Sequence, residues 1–447
     1  MMKTPIIDFV RQYKDNKSIR LHMPGHKGKK LLGFEEYDIT EIDGADVLYH
    51  SHGIILESEH NASNLFGFNT FYSTEGSSLC IRAMLFLAMS KNRSSNRNYI
   101  LAARNVHKTF VTAVALLDLD VKWLYSENNM SYHTCLITKE MVENNLKNAK
   151  ELPFALYLTS PDYLGNILDI KGIKEVCQKY NVLLLVDNAH GAYLKFLNSS
   201  LHPIDLGADM CCDSAHKTLP AVTGASYLHI SNNLDDYYSI HAKEALALFA
   251  STSPSYLILQ SLDYVNFYLE KNKDIYSSFC NKLLKIRNRL ANNGYIIIGD
   301  EAIKITIDAK KYGYTGDEIN AYLLKNNIVS EFHDEDYLVL MLSPLNTDYE
   351  LDKMTEALLR LNKKEELKKN NLVPTIKEVC MSIREATFSL REKVNVDDAL
   401  GRILADTTVS CPPAIPIIVS GEKIDSNDIK MFKYYGVKEC SIVKNKA

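Results

Sequence analysis

Apolar residues along this chain come in short blocks that alternate between unbroken runs and longer, helix-like segments. Val182-Leu183-Leu184-Leu185-Val186 is apolar throughout, which suits a strand buried on both faces. Similar runs occur at Thr70-Phe71-Tyr72, Tyr99-Ile100-Leu101-Ala102, Phe154 to Leu158 and residues 225–230. Helical segments are predicted at Ser58 to Leu65, Leu79 to Met89, Lys108 to Leu117 and Ile173 to Tyr180. Strands alternating with helices at this spacing predict an α/β protein whose mostly parallel sheet is covered on both faces.

Beyond this region one long helix is predicted from Tyr256 to Ala291. Strands within Gly294 to Ile307 and Tyr337 to Leu342, around a helix near Gly316 to Asn326, form a second, smaller α/β unit. A helix from Thr375 to Lys393, a turn at Pro412-Pro413 and a final strand and helix make a third piece. The first fifty residues carry Pro24, Gly25, Gly28, Gly33 and Gly44 and read as an irregular arm. The expected division is an arm over 1–57, a large domain over 58–265, a small α/β domain over 266–367 and a C-terminal subdomain over 368–447.

Composition narrows the class. A chain of 447 residues with 46% hydrophobic and 24% charged positions suits a globular protein with a large core. Its net charge of −4 and lack of a basic stripe argue against a nucleic-acid partner. No run approaches the length of a membrane span, and no apolar leader opens the chain. The nine cysteines are scattered without C-x-x-C pairs, and Cys211-Cys212 read as small core residues, so a cytoplasmic location is expected.

Candidate chemistry centres on Ala208 to Thr218, where Lys217 follows a short apolar run. A lysine held at a strand end loses solvation, deprotonates more easily and can form a Schiff base with an aldehyde cofactor. Upstream, Asp187 closes the strand Val182 to Val186, at the end where α/β sheets bind ligands. A strand-end carboxylate with a downstream lysine is what pyridoxal 5'-phosphate (PLP) needs, because the carboxylate keeps the pyridine nitrogen protonated. Asp187 alone reads equally as a turn cap.

Ser73 to Ser78 lies between a strand and a helix, with Gly76, Ser77 and Ser78 at the helix start. Such a place holds a phosphate or merely caps the helix. His107 could stack on a flat cofactor or sit in an exposed loop, and His190 could border cofactor or substrate or only the turn at Gly191. No G-x-x-x-x-G-K-[ST], no well-placed G-x-G-x-x-G and no G-x-S-x-G occurs. His22 and His26 are interrupted by Pro24-Gly25, so no metal site is expected.

Taken in order, several segments resemble the ornithine/lysine/arginine decarboxylases of PLP fold type I, the aspartate-aminotransferase-like fold. These are Met23-Pro24-Gly25-His26-Lys27, Asp38-Ile39-Thr40-Glu41, Arg104-Asn105-Val106-His107-Lys108, Val186-Asp187 with Ala189-His190-Gly191, and Ser214-Ala215-His216-Lys217. Ser251 to Tyr256, Cys411-Pro412-Pro413-Ala414-Ile415-Pro416 and Gly421-Glu422 continue the match. The resemblance implies that Lys217 carries the cofactor as a Schiff base, Asp187 pairs with the ring nitrogen and His107 stacks on the ring. It implies phosphate binding by Gly76, Ser77, Ser78 and Ser214, with His216 at the phosphate or the imine and Ala189 beside the cofactor. It also implies a homodimer, in which the Ser251–Ser255 loop serves the partner's cofactor.

The implied activity is decarboxylation of a basic amino acid in polyamine synthesis, arginine ahead of lysine and ornithine. An aminotransferase or carbon–sulfur lyase would share Lys217 and Asp187, and a PLP-binding regulator without catalysis is a third reading. A guanidinium or ammonium substrate needs a carboxylate at the far end of its pocket, and Glu331 is the candidate beside His190. Three positions depart from the family pattern. Asn188 stands where many relatives have Glu, Leu79 where a small residue is usual, and Ala414 where a Gly is usual. The chain also lacks the receiver-like wing domain of the large bacterial enzymes, which makes it similar to the compact form.

Overall fold

A computed structural model describes residues 2–92, 99–126, 131–370, 372–406 and 414–444. Its early strands are β1 (Asn69–Ser73), β2 (Tyr99–Ala103), β3 (Asp120–Leu124), β4 (Ala155–Thr159), β5 (Leu183–Asp187), β6 (Met210–Asp213) and β7 (Ser226–Ile230). The later ones are β8 (Ile297–Ile298), β9 (Lys304–Asp308), β10 (Phe332–His333), β11 (Tyr337–Met341), β12 (Arg391–Asn395) and β13 (Glu439–Val443). The chain divides into two compact units, Met1–Asn96 with Leu183–Ile275, and Arg97–Val182 with Tyr276–Ala447.

In the first unit β5 and β6 run parallel, pairing Val186 with Cys211 and Asp187 with Cys212. β7 runs antiparallel to β6 and to β1. Helix Gly76–Asn92 packs on β6 and β7 and buries residues all around its circumference, which explains its unbroken apolar character. Leu79 is fully buried there, so its side chain fills core.

The first fifty residues are not wholly irregular: Pro5–Asp15 is a helix. All the breakers noted in the sequence lie after it. Pro5 suits a first turn, Ile6 and Val10 bury one stripe, and the N–H groups of Ile6 and Ile7 donate to Asp263 Oδ2 at 3.0 and 3.1 Å. The single helix predicted from Tyr256 to Ala291 is two helices, Tyr256–Lys271 and Ile275–Asn292. The polar run Asn272-Lys273-Asp274 has nothing to bury and interrupts them.

In the second unit β2 pairs in parallel with both β3 and β4. β3 escapes prediction because Asp120 and Lys122 are exposed and alternate with half-buried Val121 and Trp123, a sheet-edge pattern. A four-stranded antiparallel sheet has the order β10-β11-β9-β8, and only Ile297–Ile298 and Lys304–Asp308 of the predicted segment 294–307 are strands. β12 and β13 form an antiparallel pair.

The helix expected over Thr375 to Lys393 shrinks to Ile383–Phe388, because a capping box of Ser382 and Glu385 starts it late and Arg391–Asn395 pairs as β12. The final elements come as helix Ser426–Tyr434 and then β13, the reverse of the predicted order. Pro412-Pro413 lies outside the described residues. Ile417, Ile424, Met431, Phe432 and Ile442 pack with Phe332 and Tyr337 in one cluster.

The architecture is α/β, with a large mixed-sheet domain, a smaller antiparallel-sheet domain and a C-terminal antiparallel subdomain. Among the described residues no helix is long and apolar enough to cross a membrane.

Candidate active site

Two parallel strands of the first unit end side by side, and their ends carry the candidate chemistry. Asp187 closes β5 with 3% exposure, and its Oδ1 accepts from the Ala189 N–H at 3.1 Å. The neighbouring Cys212 thiol donates to the same oxygen at 3.6 Å, and burial pushes that thiol well up. β6 ends at Asp213, and the four-residue helix Ala215–Thr218 then carries His216 and Lys217. Lys217 Nζ lies 3.1 Å from Nε2 of buried His190, three residues beyond Asp187. His216 Nδ1 donates to the Ala225 carbonyl at 2.9 Å, and burial lowers its pKa.

The loop after β1 reaches the same group. Ser214 Oγ donates to Ser77 Oγ at 2.8 Å, which sets two hydroxyls at the start of helix Gly76–Asn92 with Ser78 next in line. Gly76 has φ +72 and open space where a Cβ would stand, and its N–H donates to the Gly224 carbonyl at 2.8 Å. Gly224 was not singled out by the sequence, yet its φ is +98 and a Cβ there would meet Thr74 O at 3.0 Å. The Ser251 N–H donates to Glu75 Oε1 at 2.7 Å, so the Ser251–Ser255 loop is tied to the Ser73–Ser78 loop. Hydroxyls and N–H groups at a helix start suit a phosphate, Asp187 suits a protonated ring nitrogen, and Lys217 supplies an amine. The donor set therefore fits PLP.

A buried carboxylate that sequence reasoning passed over ties these loops together. Asp213 accepts from Asn188 Nδ2 at 2.6 Å, from His202 Nε2 at 3.2 Å and from His229 Nε2 at 3.1 Å. His229 Nδ1 in turn contacts the Thr70 hydroxyl on β1 at 3.0 Å. Asn188, which departs from the family's Glu, thus serves as a neutral donor where a carboxylate would meet Asp213. His202, Cys211 and Asp213 also bring metal-ligating atoms within 4.8 Å of one another, a grouping that sequence spacing did not reveal. Their hydrogen bonds account for the arrangement.

His107 and Glu331 belong to the second unit. His107 caps helix Lys108–Leu117, its Nδ1 accepting from the Thr109 N–H at 3.2 Å. Glu331 is exposed and accepts from the Tyr163 hydroxyl at 3.4 Å. Of the two histidines discounted as metal ligands, His22 contacts the Tyr13 hydroxyl at 2.6 Å and His26 contacts Asp38 at 3.2 Å.

The segment around His107 is held by the C-terminal one. The buried guanidinium of Arg104 donates to the carbonyls of Pro416 and Ile417 at 3.0 Å and pairs with Glu422 at 3.3 Å. The Lys108 N–H donates to Ala414 O at 2.8 Å. Ala414 has φ +56, a conformation that glycine adopts without strain. Ala414→Gly is therefore expected to raise stability by about 0.5–1 kcal/mol, read as a higher urea midpoint.

A lysine and an acid on neighbouring strand ends, beside a phosphate-suited helix start in an α/β fold, define the class of fold type I PLP enzymes. Residues 4–306 match the Orn/Lys/Arg decarboxylase major domain, and residues 368–443 match that family's C-terminal domain. The chain belongs to the Orn/Lys/Arg decarboxylase family. It is 28% identical to an arginine decarboxylase of Halalkalibacterium halodurans, covering 96% of this chain and 92% of that protein. An arginine decarboxylase of Bacillus subtilis is 26% identical with the same coverages. The fold is shared with a lysine decarboxylase of Francisella novicida, at TM-score 0.80 and 16% identity over 99% of this chain and 81% of that one. Lysine decarboxylase A of Pseudomonas aeruginosa aligns at TM-score 0.79 and 17% identity over 98% and 80%. The protein is a PLP-dependent amino-acid carboxy-lyase.

Proposed function

We propose that this enzyme decarboxylates arginine in preference to lysine or ornithine, releasing carbon dioxide and the corresponding amine. The reading of arginine is supported by two relatives named arginine decarboxylases at 28% and 26% identity, whereas the lysine decarboxylases, at 16% and 17% identity, share the fold alone. The observation that carries the site assignment is the convergence of Lys217, Asp187 and the Ser77–Ser214 pair on neighbouring strand ends.

When bound, PLP supplies an electron sink for the pair left behind by departing carbon dioxide. Lys217 would hold the cofactor at its aldehyde carbon through Nζ. Asp187 keeps a proton on the ring nitrogen, which its burial away from competing water strengthens. The Gly76 loop with Ser77, Ser78 and Ser214 holds the phosphate, and His216, committed through Nδ1 to Ala225, presents Nε2 to phosphate or imine. Ala189 would border the cofactor, and His107 is the residue proposed to stack on its ring. His190 would border the substrate, and Glu331 is the carboxylate proposed for a guanidinium, which it would accept by charge-assisted hydrogen bonds. In this reading the enzyme is a homodimer acting in the cytoplasm within polyamine synthesis, with the four-part division at 57, 265 and 367.

Assays of arginine, lysine and ornithine side by side, following carbon dioxide and amine, test the substrate choice. A faster rate with lysine would overturn the arginine preference, and a keto-acid product would indicate transamination instead. Asp187→Ala is expected to leave cofactor bound while lowering kcat by roughly 10³-fold, since an uncharged ring nitrogen weakens the electron sink.

A further inference from the structure

Lys217 Nζ and His190 Nε2 are 3.1 Å apart, within hydrogen-bond reach, so a proton can pass from one nitrogen to the other when Nε2 carries the lone pair. An ammonium is not a nucleophile, and the Lys217 amine must give up a proton before its lone pair can form a bond. The geometry provides an acceptor for that proton. His190 is 6% exposed, three residues past Asp187 on the same strand end, in a turn closed by the Gly191 N–H on the Asn188 carbonyl at 2.7 Å. Its ring is therefore held by a fixed backbone.

We infer that His190 is the proton acceptor that activates Lys217, taking a proton from its ammonium and returning it during imine formation. This rests on Lys217 being the PLP lysine. The step balances without another reactant. One ammonium proton passes to Nε2, and the freed lone pair forms the N–C bond to the aldehyde carbon of PLP. The carbonyl oxygen leaves as water, having taken one proton from the amine nitrogen and one from the His190 imidazolium. The imidazole ends neutral, and the positive charge ends on the imine nitrogen. The same shuttle in reverse serves the release of Lys217 when the substrate amine displaces it.

The test follows the full chain, stripped of cofactor and recharged with PLP, by the growth of the bound cofactor's visible absorbance. His190→Ala is expected to slow that growth by roughly 10²-fold, the usual contribution of a positioned base. Free imidazole should restore the rate of His190→Ala in proportion to its concentration, which a merely structural histidine would not allow. His190→Gln, which keeps the bulk and polarity without a titratable nitrogen, should be slowed likewise. Wild-type rates in both variants, or a slowed His190→Ala that imidazole fails to rescue, would overturn the inference. Borohydride reduction of Lys217→Ala separates the two readings. If that variant still retains cofactor covalently, the lysine assignment itself fails. If it does not, unchanged His190 variants refute the shuttle alone.

Discussion

Lys217→Ala is expected to eliminate covalent cofactor capture and to lower decarboxylation by at least about 10⁴-fold, the scale seen when a covalent group is removed. The lysine sits in a four-residue helix directly after β6, and its Nζ reaches His190, which follows the end of β5. The measurement is borohydride reduction followed by mass determination, which reports the bond and not the activity. A cofactor-sized mass gain in the variant would show that another residue carries the aldehyde. Added methylamine should recover part of the turnover, because the alanine leaves space where the side chain stood.

Asp213→Asn is expected to cost about 3–5 kcal/mol of stability, the usual price of breaking a buried charge pair. The substitution keeps the shape but puts an NH2 group in place of one oxygen, so that it faces either Asn188 at Oδ1 or His202 and His229 at Oδ2. One buried donor or more is then left without an acceptor. Burial pushes the Asp213 carboxyl up, but His202 and His229 outweigh it and hold the group well below the ordinary value of 3.8. A carboxyl depressed in the folded state stabilises fully above its unfolded pKa, and loses that contribution as pH falls through the folded value. The gap between wild-type and variant urea midpoints should therefore close in strong acid, as the Asp213 carboxyl of the wild type takes up its proton. A gap of less than about 1 kcal/mol at neutral pH would show that the cluster relaxes around the amide.

The strands that hold the site could be read before any coordinates, because local pattern decides them. β5 is an unbroken apolar run ended by Asp187, and helix Lys108–Leu117 has the predicted bounds. Segments whose pattern is mixed were not legible. β3 alternates charge with half-buried residues, and the helix expected over Thr375 to Lys393 yields to pairing between β12 and β13. In both cases a distant strand outweighs local propensity.

The site divides in the same way. Lys217, Asp187 and Ser77 are candidates by local pattern, each at a junction between a run of apolar residues and a polar turn, and Ser214 is one by the family resemblance. Their meeting is a separate fact. Ser77 and Ser214 come from loops far apart in the chain, and only β1 pairing with β7, and β7 with β6, brings them to 2.8 Å. Gly224 acquires its role only when the Gly76 N–H needs a carbonyl beside it.

The chain by itself determined the alternation of strands and helices, the residues at the strand ends and the family they resemble, since these depend on neighbours a few positions away. Tertiary structure alone decided that Asp213 would gather Asn188, His202 and His229, and that His190 would face Lys217. A polar group removed from water must find its partner wherever the fold places one, and no local pattern records that choice.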